Sequence, residues 1–204
     1  MLLKGDVRKI LMVERTILNI LCNLCGVAKA TKEALEKARE VNPNVKIAAT
    51  RKTIPGLRLL QKYAVEIAGG DTHRLSLSDM ILIKDNHIRV LGGIERALNM
   101  AKRIKSFAHK VEVEVTNIED AVKAAKLGAD IIMLDNMSPE EIKEVIMKLE
   151  QLGLRNKVIL EASGGININN IHKYAKTGID VISMGSITHS VKACDISLEV
   201  IEEC

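Results

Sequence analysis

The stretch from Val111 to Asp135, VEVEVTNIEDAVKAAKLGADIIMLD, decides the fold. It opens on a short β-rich run, Val111–Val115. Thr116-Asn-Ile-Glu119 follows with the spacing of a capping box, in which a hydroxyl caps the first helical turn and an acid reaches back to it. A helical window comes next, and Ile131–Leu134 is a second apolar strand. Strand, helix, strand in so short a span is a βαβ unit, whose two strands run parallel because the helix carries the chain back.

The same unit repeats in both directions. Upstream, Val45–Thr50 is a strand with a helix from about Pro55, a good N1 residue. Met80–Lys84 is a strand with a helix at Gly93–Ile104. Downstream, Ser138-Pro-Glu-Glu141 is a second capping box with proline at N1. Val158–Ala162 is a strand before an Asn-rich helix start near Asn167–Asn169, and Val181–Met184 is the last clear strand, with a helix near its end. Continuous apolar strands imply a parallel sheet covered on both faces. A closed barrel and a doubly wound open sheet both satisfy this, and six units fall short of the usual eight of a barrel. The fold class expected is α/β: an open or incomplete TIM-like barrel of about six parallel strands with flanking helices.

Residues 1–40 read differently, as two helices at about Leu11–Leu24 and Ala30–Glu40 with no strand unit before them. Residues 41–204 contain no linker or low-complexity segment and are expected to form one α/β domain. In the N-terminal stretch, Lys4, Asp6, Arg8, Lys9, Glu14 and Arg15 break each apolar run well short of a membrane span, and no signal peptide is read. With no secretory signal, the default location is the cytoplasm.

Composition narrows the function. There is one Phe, two Tyr and no Trp in 204 residues. Single-stranded nucleic-acid binders stack bases on aromatic side chains, so that class is excluded, and a net charge of +4 does not by itself call for nucleic acid. A core without aromatics must use Ile, Val, Leu, Met and Ala, which suits the inward layers of a parallel barrel. Cys22 and Cys25 form a C-x-x-C within a helical pattern. No second Cys or Cys/His pair completes a zinc site, so they read as small helix residues. Cys194 and Cys204 read as filler, and His109, His172 and His189 as surface or structural residues.

Each strand ends by delivering polar groups. After the first come Thr50, Arg51 and Lys52; after the second, Lys84, Asp85, Asn86 and His87. The third ends on Glu114, the fourth on Asp135 and Asn136, the fifth on Glu161 and then Ser163-Gly164-Gly165, the sixth on Gly185 and Ser186. Ligands bind at the carboxyl ends of parallel strands. Taken singly, Arg51 or Lys84 is a solvated loop charge and Glu112 an exposed strand-end residue, while His87 is ambiguous, since Asp85-Asn86-His87 is equally a tight turn; the array carries the argument. Arg51, Lys52, His73, Arg74 and Lys84 suit a heavily anionic small molecule. The two glycine loops offer backbone N–H groups to a phosphate. Glu114 and Asp135 suit sugar hydroxyls or a Mg²⁺ that bridges to phosphate oxygens.

Thr50-Arg-Lys-Thr-Ile-Pro-Gly-Leu-Arg58, Gly69-Gly-Asp-Thr-His-Arg74 and Ile83-Lys-Asp-Asn-His87 resemble the signature of the quinolinate phosphoribosyltransferases, also called nicotinate-nucleotide pyrophosphorylases (carboxylating). Glu112-Val-Glu-Val115, Leu134-Asp-Asn136, Glu161-Ala-Ser-Gly-Gly-Ile166 and Ser183-Met-Gly-Ser186 resemble its later motifs in order, and Glu14-Arg-Thr-Ile-Leu-Asn19 its ERxxLN helix. The resemblance implies conversion of quinolinate and phosphoribosyl pyrophosphate to nicotinate mononucleotide, pyrophosphate and CO₂ in NAD biosynthesis, with Mg²⁺. It implies a substrate pocket of Arg15, Thr50, Arg51, Lys52, His73, Arg74, Lys84, Glu114, Asp135, Ser163, Gly164, Gly165, Gly185 and Ser186. Within it, Lys52, Lys84, Glu114 and Asp135 are implied as catalytic, and Glu114 and Asp135 as metal-facing. Arg15 is implied to enter the neighbouring subunit's site, which makes a homodimer the unit; neither nucleic acid nor membrane is expected as a partner. Against the family pattern, most of a small N-terminal domain is expected to be missing, with residues 1–40 its helical remnant. Ala68 stands in a run of family glycines. A truncated, non-catalytic relative that binds anions or needs a partner chain is the alternative; a sister family of molybdenum-transport-associated proteins follows the motifs less closely.

Overall fold

The computed structural model describes residues 3–201, so Cys204 lies outside the described residues. The elements run α1 (Val7–Arg39), β1 (Lys46–Ala49), α2 (Arg58–Ile67), β2 (Ile81–Ile83), α3 (Asp85–Leu91) and α4 (Ile94–Ile104). They continue through β3 (Val111–Val115), α5 (Ile118–Lys126), β4 (Ile131–Asp135), α6 (Pro139–Gln151), β5 (Ile159–Ser163), α7 (Ile171–Ala175), β6 (Val181–Met184) and α8 (Ser186–His189). A short 3₁₀ turn, Arg155–Lys157, precedes β5.

The six strands form one parallel sheet in the order β1-β6-β5-β4-β3-β2. It is an incomplete barrel with β1 and β2 at its edges. The segment after α2 joins the free edge of β1 through a parallel bridge from Asp71 to Ala48. Register sorts the residues by face, because paired residues in neighbouring strands point the same way. Ile47, Ile83, Val113, Ile132, Leu134, Leu160 and Ile182 face outward and are buried under the helices. Glu112, Glu114, Met133, Asp135, Glu161, Ser163, Ser183 and Ala48 share the inward face.

This corrects where the aromatic-free core lies. Most of the aliphatic packing is between the sheet and its helices, while the inside of the barrel carries Leu82, Ile131, Ile159 and Val181 toward the strand starts and turns polar toward the carboxyl ends. It also corrects Glu112, which is 0% exposed and not a surface strand-end residue. Phe107 and Tyr63 are both exposed, so neither contributes to that core.

Other boundaries differ for local reasons. Residues 7–39 form one helix and not two, since a single Gly26 costs a helix only about 1 kcal/mol. Helix α1 buries Leu18, Val27, Ala34, Leu35 and Ala38, and exposes Val7, Leu11, Met12, Val13 and Ile17. By length and composition it is apolar enough to cross a membrane, despite Glu14 and Arg15. Pro55 does not start α2. With Gly56 at φ 80° it forms a turn, closed by the Leu57 N–H donating to the Ile54 carbonyl at 3.0 Å. Asn117, not Thr116, caps α5, accepting the Asp120 N–H at 2.8 Å. The Ser138–Glu141 capping box is formed, with Pro139 at N1. Asp85-Asn86-His87 opens α3 instead of a tight turn, and His87 Nδ1 accepts the Lys84 N–H at 2.9 Å. Ala68 is the C-cap of α2 at φ −82°, an ordinary right-handed residue where alanine is tolerated.

Candidate active site

The carboxyl ends of the strands form one rim. From β1 it receives Thr50, Arg51 and Lys52, and from the bridge segment His73 and Arg74. From β2 comes Lys84, from β3 Glu114, from β4 Asp135, from β5 Ser163-Gly164-Gly165 and from β6 Gly185-Ser186. Thus the structure brings the expected pocket residues that follow the strands to the same end. Arg15 lies exposed on the N-terminal half of α1 and makes no ion pair among the described residues. A separate groove of about 600 Å³ lies at the opposite end of β1, β5 and β6, lined by Asn42, Lys46, Lys176 and Asp180. In barrels that end serves stability and carries no chemistry.

The first strand-end loop is held from below. The Lys52 carbonyl accepts the Thr188 hydroxyl at 2.7 Å. Gln61 is fully buried: its side-chain oxygen accepts the Ile54 N–H at 3.0 Å, and its amide donates to Asn23 and to the Thr188 carbonyl, each at 3.0 Å. Arg51 Nε is buried with no hydrogen-bond partner among the described residues, a donor held ready inside the pocket.

Inside the barrel His73 Nε2 lies 3.1 Å from Glu161 Oε2 and 3.6 Å from Glu112 Oε2. Burial lowers the affinity of the ring for a proton, but the hydrogen bond and charge of Glu161, with the charge of Glu112, outweigh it and raise its pKa. Glu112 is raised as well, by burial and by the charge of Glu161. The ligating atoms of these three residues lie within 4.8 Å of one another, a spacing a cation could share. Arg74, 8% exposed, adds its charge beside Glu112. Sequence reasoning left Glu112 and Glu161 out of the site. The available signal was the acids at alternate positions of buried parallel strands, which can only point into the barrel.

At the rim Lys84 Nζ lies 3.7 Å from Glu114 Oε2. Burial raises the Glu114 pKa, the Lys84 charge opposes this, and the neighbouring Asp135 charge adds to it. Asp135 and Ser163 pair across β4 and β5, and the Asn136 N–H donates to the Ser163 carbonyl at 2.9 Å. Gly164 at φ 89° and Gly165 at φ 64° take left-handed backbone there. A Cβ on Gly164 would lie 2.8 Å from the Asn136 nitrogen, whereas one on Gly165 would meet nothing within 4 Å. Gly165 therefore borders open space that a ligand can use.

An incomplete parallel barrel that gathers five cationic side chains, two facing carboxylates and two glycine loops at its strand ends is an enzyme-like site for a phosphorylated, multiply anionic small molecule. The family model of the quinolinate phosphoribosyl transferase C-terminal domain matches residues 27–199, and the chain belongs to that family. It is 54% identical over 198 residues to a probable nicotinate-nucleotide pyrophosphorylase [carboxylating] of Methanothermobacter thermautotrophicus, covering 97% of this chain and 71% of that protein. With the nicotinate-nucleotide pyrophosphorylase [carboxylating] of Homo sapiens it shares 40% identity over 197 residues, covering 97% of this chain and 66% of that one. The solved nicotinate-nucleotide pyrophosphorylase of Francisella tularensis superposes with a TM-score of 0.85 at 48% identity, covering 94% of this chain and 65% of that chain. The chain thus spans about two thirds of the length of the human and Francisella proteins.

Proposed function

We propose that this chain performs the family's reaction, phosphoribosyl transfer from phosphoribosyl pyrophosphate to quinolinate with decarboxylation. The observation that carries the reading is the gathering of Arg51, Lys52, His73, Arg74 and Lys84 on one rim with Glu114, Asp135 and the two glycine loops. Arg51, Lys52, His73 and Arg74 receive the two quinolinate carboxylates. The 5′-phosphate lies on the N–H groups of Ser163-Gly164-Gly165 and Gly185-Ser186, while Thr50 and Lys84 take further phosphate oxygens. The quinolinate ring nitrogen attacks C1′ as the C1′–O bond to pyrophosphate breaks, and Glu114 and Asp135 stabilise the positive charge that develops there. Lys52 and Lys84 stabilise the departing pyrophosphate. The alkylated ring then draws in the electron pair of the breaking C–CO₂ bond, and a proton replaces the carboxylate on that carbon. No protein nucleophile is needed; the side chains position and balance charge.

Mg²⁺ is proposed as the cofactor. Glu114 and Asp135, neighbouring carboxylates at the mouth, would hold such a hard cation. When bound it would neutralise pyrophosphate charge.

A homodimer in the cytoplasm is proposed as the working form. Arg15 projects from the half of α1 that exposes Val7, Leu11, Met12 and Ile17, as a residue serving a second copy would. Nicotinate mononucleotide formation with Mg²⁺, together with sedimentation, tests the reading. Folded protein giving no product at high concentration would refute it and return the chain to an anion-binding relative. Sedimentation as a monomer would remove the role given to Arg15.

A further inference from the structure

Two carbonyls at the base of the basic pocket, one buried and one half-buried, owe their partner to one side chain. The bridge segment extends β1: the Asp71 N–H donates to the Ile47 carbonyl at 2.7 Å, and the Ala49 N–H to the Asp71 carbonyl at 2.9 Å. In a parallel ladder the next rung would run from the His73 N–H to the Ala49 carbonyl. That rung is missing. His73 takes φ 52°, and its N–H turns back to the Asp71 carboxylate at 2.7 Å. Lys62 of α2 takes the vacated place. Its ammonium donates to the Ala49 carbonyl at 3.2 Å and also to the Thr72 carbonyl.

A helix lysine normally reaches solvent, but Lys62 is 1% exposed. Burial and the charges of Arg58, Arg51 and Arg74 oppose its protonation, against a single helpful charge on Asp71. The position of its two acceptors gives that burial a meaning. Ala49 immediately precedes Thr50-Arg51-Lys52, and Thr72 immediately precedes His73-Arg74. One ammonium therefore ties together the two backbone segments that carry four of the five pocket cations.

We propose that Lys62 is a positioning residue for the carboxylate end of the pocket. It fixes the spacing between Arg51-Lys52 and His73-Arg74 without touching substrate. The inference rests on the reading of this rim as the quinolinate site.

The test compares the parent chain with Lys62→Met, which removes both donors, and Lys62→Gln, which keeps an amide donor. Amide hydrogen exchange reads the backbone; calorimetry reads quinolinate against ribose 5-phosphate. Lys62→Met is expected to speed exchange roughly tenfold at residues 50–53 and 72–75, leaving residues 163–166 unchanged. It should weaken quinolinate binding about tenfold or more, with ribose 5-phosphate within about twofold, and Lys62→Gln should recover part of the loss. A purely structural lysine would lower the melting temperature and affect both ligands alike, and that result overturns the proposal, as does unchanged quinolinate affinity. If Lys62→Met does not fold, Lys62→Gln carries the comparison, with about a threefold selective loss expected and no loss overturning the proposal. A parent chain that binds no quinolinate refutes the substrate reading; the exchange pattern then decides the role of Lys62 by itself.

Discussion

The His73 imidazole and the Glu161 carboxylate meet 3.1 Å apart inside the barrel, beneath the basic rim. Burial disfavours the imidazolium, but Glu161 and Glu112 together favour it more, so the folded pKa lies above the ordinary 6.5. A raised folded pKa adds stability that is fully present below the unfolded value and is lost as pH rises through the folded one. Glu161→Gln removes a charge and the better acceptor. The His73 ring should then titrate at lower pH than in the parent, in a histidine NMR titration. Quinolinate affinity should fall most on the alkaline side of that titration. A ring that titrates at the same pH in both proteins would show that Glu161 does not hold the proton there.

Arg51→Ala should separate function from stability. Arg51 Nε has no hydrogen-bond partner among the described residues, so its removal orphans no buried acceptor there. The guanidinium is placed to take a carboxylate, and its loss should lower kcat/KM at least ~100-fold, about 2.7 kcal/mol. The melting temperature should stay within about 3 °C. A matching collapse of the melt would return Arg51 to a structural role.

The sheet could be read before the structure because strand and helix periods differ, and because Ser138-Pro139 and Glu141 cap a helix through local chemistry alone. The rim was readable for the same reason: side chains that follow a parallel strand must emerge at its carboxyl end. What could not be read depends on contacts far apart in sequence. Glu112 and Glu161 look like surface acids until strand register turns both inward. Lys62 looks like an ordinary helix lysine until the turn at His73 leaves the Ala49 carbonyl for it. The single long α1 was missed because Gly26 interrupts the local pattern, whereas packing of the flanking residues keeps the helix whole.

The two adjacent glycines of the β5 loop should respond differently to alanine. At Gly164 a methyl group would strain left-handed backbone and press on Asn136, whose own φ is 55°. Gly164→Ala should cost roughly 2–4 kcal/mol in urea unfolding. At Gly165 only the backbone preference opposes the change, about 1 kcal/mol. The Gly165 methyl would instead occupy the ligand's side of the loop, so ribose 5-phosphate affinity should drop ~10-fold or more with the fold intact. Equal binding by parent and Gly165→Ala would move the phosphate grip elsewhere.

The stability of the parent chain should itself record the buried lysine. The Lys62 pKa is lowered from 10.5 to about 8, by burial first and then by the charge of Arg58. Between these two values the unfolded chain holds the proton and the native chain has begun to release it. Stability therefore rises with pH across this window, and the penalty is fully present below pH 8. The whole span corresponds to roughly 3 kcal/mol. A neutral amine keeps two N–H donors, one for Ala49 and one for Thr72, so the contact survives deprotonation. Urea unfolding of the parent and Lys62→Met from pH 7 to 10.5 isolates this group, because the other titrations cancel in the difference. The parent should gain on the variant as pH rises. A flat difference would mean that the ammonium is solvated and that the carbonyls at the pocket base are held by something else.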